Sequence, residues 1–159
     1  MKITKEIIIL GGGMVGLSVA HQLIERKLSK NITIIDKEIS LGMHTSGRNS
    51  GVLHAGIYYA PNSLKAKVSV AGANRLKEWI KERNLSINNC GKIILPTRES
   101  QDAQLELLKE RGINNGAKVE FINEKEIKEK IPFARTATKR GLWSPNTSVV
   151  NPKEVLLAL

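Results

Sequence analysis

Three glycines and one carboxylate carry the clearest chemistry in this chain. Gly11, Gly13 and Gly16 are spaced G-x-G-x-x-G, and Asp36 follows twenty residues after the last of them. Gly11 permits a tight turn, the bare backbone at Gly13 lets a pyrophosphate approach, and Gly16 lets a helix lie close to a strand. The helix opening there offers unpaired N–H groups and the positive end of its dipole to phosphate oxygens. A carboxylate at Asp36 accepts ribose hydroxyls and repels a 2′-phosphate, which disfavours NADP. A nucleotide-hydrolase phosphate loop is excluded because no Gly-Lys-Ser/Thr follows. A glycine turn that binds nothing is the competing reading. NAD and FAD fit the glycines and the carboxylate equally well.

The stretch LGMHTSGRNSGVLHAGIYYAP at residues 41–61 separates the two dinucleotides. A plain nicotinamide domain would run from its second strand into another helix. Here Thr45, Ser46, Arg48, Asn49 and Ser50 stand among glycines, a donor set able to cradle a pyrophosphate and a ribityl chain.

The elements that must position these groups read as a βαβ unit. The apolar run EIIIL at residues 6–10 is a buried parallel strand. Val15, Val19, Leu23, Ala20 and Ile24 mark one face of a helix over 15–27, and NITIID at 31–36 is the second strand. A long glycine-rich loop over 37–61 follows, of the kind that is usually functional. Pro61, Asn62 and Ser63 open a helix with Leu64, Val68, Ala71, Arg75, Trp79 and Arg83 down one side and Leu76 and Ile80 beside them. Strands are expected at 92–95, 119–122 and 140–144, and a helix over 99–111 is expected to stop at Gly112. Asn123 with Glu126 forms a capping box for a short helix before Pro132, and Asn151, Pro152 and Glu154 start a last one. The fold class is therefore α/β: a Rossmann-like βαβ unit followed by the start of an α+β domain.

Composition narrows the class. The 159 residues hold 41% apolar side chains, enough for a packed core. No apolar run approaches the ~20 residues of a membrane span, and no signal peptide precedes the first strand. A soluble, cytoplasmic protein is the expectation. The single cysteine, Cys90, forms no internal disulfide and reads as a small buried thiol. The net charge of +10 is spread over helix faces without a basic arm or a reading motif, so no nucleic acid is expected as partner.

Taken together, GGGMVGLSVAHQL, IIDKE, HTSGRNSGVLHAGIYY, SLKAK, CGKIIL and GLWSPNTSVVNP resemble the FAD-dependent oxidoreductases of the D-amino-acid-oxidase superfamily. The resemblance is strongest to their L-2-hydroxyglutarate oxidase/dehydrogenase branch and runs the length of the chain. It implies FAD as cofactor, with Gly11, Gly13, Met14, Val15 and Gly16 along the pyrophosphate, Asp36 on the adenosine ribose and Lys37 beside it. Thr45, Ser46, Arg48, Asn49 and Ser50 would contact the pyrophosphate and lead toward the isoalloxazine. His54 and Tyr58 would face flavin and substrate, and no metal is involved. The implied reaction takes the C2 hydrogen of a 2-hydroxy acid as hydride and its hydroxyl proton to a base, leaving a 2-oxo acid. The electrons then go to oxygen or a membrane quinone. His54 is the candidate base, since a neutral imidazole suits that role near pH 7, or it only hydrogen-bonds flavin or backbone. His44 offers a covalent flavin link or plain loop packing, His21 is structural, and Tyr58 with Tyr59 covers substrate or fills core.

Members of this family are more than twice this length. The resemblance thus implies an N-terminal piece, with residues 1–85 as the first FAD-domain segment, 86–150 as the start of a substrate domain and 151–159 as a cut helix returning toward the FAD domain. A truncated gene product and one half of a split enzyme with a C-terminal partner chain are both open. No turnover is expected of the piece alone.

Overall fold

A computed structural model describes residues 6–159. They divide into two compact units, one of residues up to 51 together with 151–159, the other of residues 52–150.

The first unit is a βαβ arrangement. Strand β1 (Ile7–Leu10) pairs in parallel with β2 (Ile32–Ile35), from Ile7 opposite Ile32 to Leu10 opposite Ile35. Helix α1 (Met14–Glu25) connects them and buries Leu17 and Ala20. Because side chains alternate along a strand, Ile7, Ile9, Ile32 and Ile34 share the half-buried face, while Ile8, Leu10 and Ile35 lie on the exposed one. The expected helical face is only partly used: Val15, Val19 and Ile24 are exposed. The last helix of the chain belongs to this unit. Asn151 Oδ1 accepts from the N–H groups of Lys153 and Glu154 at 3.1 and 3.4 Å, Pro152 begins the helix, and Val155 and Leu156 are buried.

The second unit contains two three-stranded antiparallel sheets. In one, β3 (Val52–Leu53) and β4 (Ile87–Asn88) flank β8 (Ser148–Val150). In the other, β5 (Lys92–Ile94) and β6 (Glu120–Asn123) flank β7 (Arg140–Ser144). Helices α2 (Leu64–Glu82), α3 (Asp102–Asn114) and α4 (Glu124–Lys130) complete it, and the closing helix of the first unit is α5 (Pro152–Ala158). Leu105 and Leu108 of α3 meet Leu142 of β7 and Ile57 in a core lined by Ile94, Val119 and Phe121. The capping box at Asn123 is formed: its side chain accepts from Glu126 N–H at 3.0 Å, and Glu126 accepts from Asn123 N–H at 2.7 Å.

The compact units part at Gly51, because β3 pairs with β8 and carries the following chain into the second unit. Three expectations need correction. Helix α2 turns its other side inward. Ala66 and Ile80 are buried, whereas Leu64, Val68, Ala71 and Arg75 are exposed. Gly112 does not stop α3; it is buried inside it, where a Cβ would stand 2.9 Å from Val119 Cγ2, and the turn comes at Gly116 with φ +79°. Cys90 is exposed, because it sits in the turn before Gly91, whose space is filled by the Trp143 ring.

Candidate functional site

The glycine turn is shaped by backbone approaches that no larger residue allows. Gly11 has φ +108°, and its N–H donates to Ile35 O at 2.7 Å, tying the end of β1 to the end of β2. A Cβ at Gly16 would lie 2.0 Å from Gly11 O. At Gly13, the N-cap of α1, a Cβ would lie 2.9 Å from Ser46 Oγ. The first turn of α1 holds no acidic residue. Met14 N–H donates to Ser46 Oγ at 3.0 Å, and among the described residues none accepts from the N–H of Val15 or Gly16.

Asp36 closes the other side of this turn. Its Oδ2 accepts from Gly12 N–H at 2.6 Å and its Oδ1 from Glu38 N–H at 2.9 Å. The N–H groups of Glu38 and then Gly12 hold its carboxyl below the ordinary carboxylate range, helped by His44 and Lys37. Each oxygen keeps a second acceptor direction for a sugar hydroxyl. Gly12 carries a role that the sequence reading did not assign; as the middle glycine of three it is the donor that orients the carboxylate.

The loop behind Asp36 lies on the glycine turn through Gly42 N–H, which donates to Gly12 O at 3.0 Å. Glu38 lies 3.2 Å from Lys37 Nζ and 2.8 Å from His44 Nε2, so both side chains are committed to that carboxylate. Asn49 is spent on its own loop: its Nδ2 donates to Thr45 O and Ser46 O at 3.0 and 2.9 Å, and its Oδ1 accepts from Gly51 N–H at 2.8 Å. Thr45, Arg48 and Ser50 are exposed. The structure therefore brings Gly11, Gly13, Gly16, Met14, Ser46 and Asp36 together around the start of α1. Asn49 and Lys37 shape and charge the adjoining loop.

These groups fit an FAD diphosphate. Free N–H donors stand at a helix N-terminus, the glycines leave a cradle that a Cβ would fill, and a carboxylate waits at the end of β2.

His54 and Tyr58 belong to the second unit. His54 follows β3, and its ring meets that of Tyr58 edge-on, with centroids 6.0 Å apart. Partial burial, and then the Lys92 ammonium, push the His54 imidazolium below its ordinary pKa, which favours the neutral ring. Tyr58 Oη lies 2.9 Å from Lys92 Nζ, which also stands 4.3 Å from the Tyr58 ring centroid. Helix α3 clamps the backbone of this loop. Asn115 Nδ2 donates to Gly56 O and Tyr59 O at 2.8 and 2.9 Å, and Arg111 donates to Tyr58 O at 3.2 Å. Lys92 escaped the sequence reading because it opens a strand that reads as core. Among the described residues there is no group of three or more His, Cys, Asp or Glu able to hold a metal, and no helix is long and apolar enough to cross a membrane.

The chain is similar to known proteins over nearly its whole length. L-2-hydroxyglutarate dehydrogenase, mitochondrial, of Pongo abelii is 41% identical over 96% of this chain and 36% of its own length. L-2-hydroxyglutarate dehydrogenase of Escherichia coli is 35% identical over 97% of this chain and again 36% of its own length. The chain thus spans about a third of the length of these relatives. Among solved structures, dithionite-reduced L-alpha-glycerophosphate oxidase from Mycoplasma pneumoniae with FAD bound superposes with a TM-score of 0.80, at 28% identity, over 96% of this chain and 41% of that one. The family described as DAO, FAD dependent oxidoreductase, matches residues 6–159. With its glycine cradle, its carboxylate at the end of β2 and this match, the chain belongs to the DAO family of FAD-dependent oxidoreductases.

Proposed function

We propose that this chain supplies the FAD-diphosphate site, and part of the substrate side, of an enzyme that oxidises an L-2-hydroxy acid of the 2-hydroxyglutarate type to its 2-oxo acid. The observation that carries the reading is the start of α1, where three glycines, open N–H donors and Asp36 converge. The names of the relatives at 35 and 41% identity support the substrate class.

In this reading the N–H groups of Val15 and Gly16 bind diphosphate oxygens, and the Ser46 hydroxyl adds a donor beside them. Asp36 takes a ribose hydroxyl on the acceptor directions its backbone donors leave. FAD, when bound, supplies the acceptor for the hydride that leaves C2. His54, kept neutral by its surroundings, takes the hydroxyl proton at a ring nitrogen, and the C2–O bond becomes the carbonyl of the 2-oxo acid. Thr45, Arg48 and Ser50 serve the diphosphate from the exposed side of their loop, and Lys37 stands beside Asp36, paired with Glu38.

A second reading rests on the exposed Ile8, Leu10 and Ile35. A parallel sheet is normally covered on both faces. We therefore assign turnover to an assembly in which further chain covers that face, and cofactor holding without turnover to these 159 residues by themselves.

The test is the visible spectrum of the purified chain after incubation with FAD and desalting, then after anaerobic addition of L-2-hydroxyglutarate. A retained, shifted flavin band supports the cofactor site, and a colourless protein overturns it. Bleaching by the 2-hydroxy acid would show that the chain turns over unaided. Bleaching by an amino acid instead would move the reading to an amino-acid oxidase.

A further inference from the structure

Helix α3 ends on the only Asn-Gly pair of the sequence, Asn115-Gly116. Asn115 is also the side chain that holds the loop carrying His54 and Tyr58. Its Nδ2 spends both hydrogens on that loop, one on Gly56 O at 2.8 Å and one on Tyr59 O at 2.9 Å. Arg111 adds a bond to the carbonyl between them, Tyr58 O, at 3.2 Å. Two of the three bonds that tie α3 to this loop thus come from one amide group.

An asparagine before a glycine is open to attack by its own backbone. The nitrogen of the next residue can reach the side-chain carbon Cγ, and glycine has no Cβ to obstruct the approach. At Gly116 the way is clear: φ is +79°, and nothing lies within 4 Å of where a Cβ would stand. In the closed structure two restraints oppose the attack. Gly116 N–H donates to Ile113 O at 2.9 Å, and the Asn115 amide is held by the two loop carbonyls. Both restraints belong to the last turn of a helix, which opens more readily than its middle.

We propose that Asn115 is a site of spontaneous deamidation, and that loss of its amide releases the loop carrying His54 and Tyr58. The Gly116 nitrogen bonds to Asn115 Cγ and the Cγ–Nδ2 bond breaks. Ammonia leaves with the proton that the backbone nitrogen gives up, and a succinimide ring remains. Water then adds to one of the two ring carbonyls and opens it, to aspartate or isoaspartate, with no change of oxidation state. Either product is an ionised carboxylate near neutral pH and only accepts hydrogen bonds. It would face the carbonyl oxygens of Gly56 and Tyr59, so both bonds are lost and negative partial charges are set against one another.

The experiment ages the 159-residue protein in mildly alkaline buffer, treats it briefly with chymotrypsin, and maps cut and uncut chains by peptide mass. Cleavage after Tyr59 requires its carbonyl oxygen to leave Asn115 and enter the oxyanion hole of the protease. Asn115 is expected to convert ahead of Asn49 and Asn62, the asparagines followed by serine. The chains cut after Tyr59 should be those that carry the acid at position 115. Without ageing, Asn115→Asp should be cut there roughly tenfold faster than the parent chain. Asn114→Asp puts the same charge on an exposed neighbour and should be cut at the parent rate. Cleavage after Phe121 and Trp143, in β6 and β7, reports general unfolding and should not change. Three results would each overturn the proposal: Asn115 staying an amide while Asn49 or Asn62 converts, equal acid in cut and uncut chains, or no faster cleavage of Asn115→Asp. Equal acceleration after Tyr59, Phe121 and Trp143 would overturn the local release as well. No flavin or substrate enters the measurement, so its outcome is independent of the cofactor reading.

Discussion

The two units of this chain are held together by different means. In the first, the decisive contacts are backbone on backbone: Gly11 N–H on Ile35 O, Gly42 N–H on Gly12 O, and the missing Cβ of Gly16 beside Gly11 O. Its side chains are poorly covered, with Leu10 81% exposed on the open face of the two-stranded sheet. In the second, side chains do the holding, and Ile57, Leu105 and Leu142 are almost wholly buried against one another. The unit that holds the glycine turn is specified by what is absent from its residues. The unit that carries His54 and Tyr58 is specified by what its residues fill. Tolerance to substitution should differ accordingly.

The largest effect is expected at Gly16. A methyl group there would sit 2.0 Å from Gly11 O and 3.2 Å from Ile9 Cγ2, and the first of these is backbone that cannot swing aside. Gly16→Ala should abolish FAD retention after desalting and lower the protection of β1 and β2 amides in hydrogen exchange. An added methyl in a tight site costs about 1–3 kcal/mol even where neighbours can yield. Retention of FAD by Gly16→Ala would show that this turn is looser than its contacts imply, and the contrast between the units would fail.

Leu142→Ala is the matching cut in the second unit. It removes a side chain with no exposed surface from the centre of β7, and a loss of about 2–5 kcal/mol is expected. The amides of β5, β6 and β7 should lose protection while those of β1 and β2 keep theirs. An equal loss in β1 and β2 would break the comparison.

What was legible in the residues follows the same division. The glycine turn could be read directly, because G-x-G-x-x-G and Asp36 state local backbone requirements that do not depend on distant partners. The caps at Asn123 and Asn151 were legible for the same reason. Strands β3, β4 and β8 were not, since each is only two or three residues long and exists through pairing with chain far away in sequence, as Val52 does with Val149. The inward side of α2 is not legible in the residues, because apolar side chains lie on both sides of that helix and only the packed partner decides between them. Gly112 reads as a helix stop because its actual role, room for Val119, is tertiary. At the site, Ser46 and Asp36 were recognisable by type and position. Gly12 and Lys92 were hidden, one inside a glycine run and one inside an apolar strand.

The smallest effect is electrostatic and tests the second unit's side-chain character at one titratable group. His54 should titrate below its ordinary 6.5, chiefly because partial burial disfavours the imidazolium and secondly because Lys92 repels it. The sign for stability follows. A histidine whose folded pKa is depressed contributes stability that is fully present above its unfolded pKa and is lost as pH falls through the folded value. The loss should therefore begin below about pH 6.5 and continue past the depressed midpoint. Lys92→Met should raise the His54 midpoint, but only part of the way, because the larger cause stays in place. Complete recovery of the ordinary value would mean that the ammonium alone sets it. No change would mean that Lys92 does not face the imidazole.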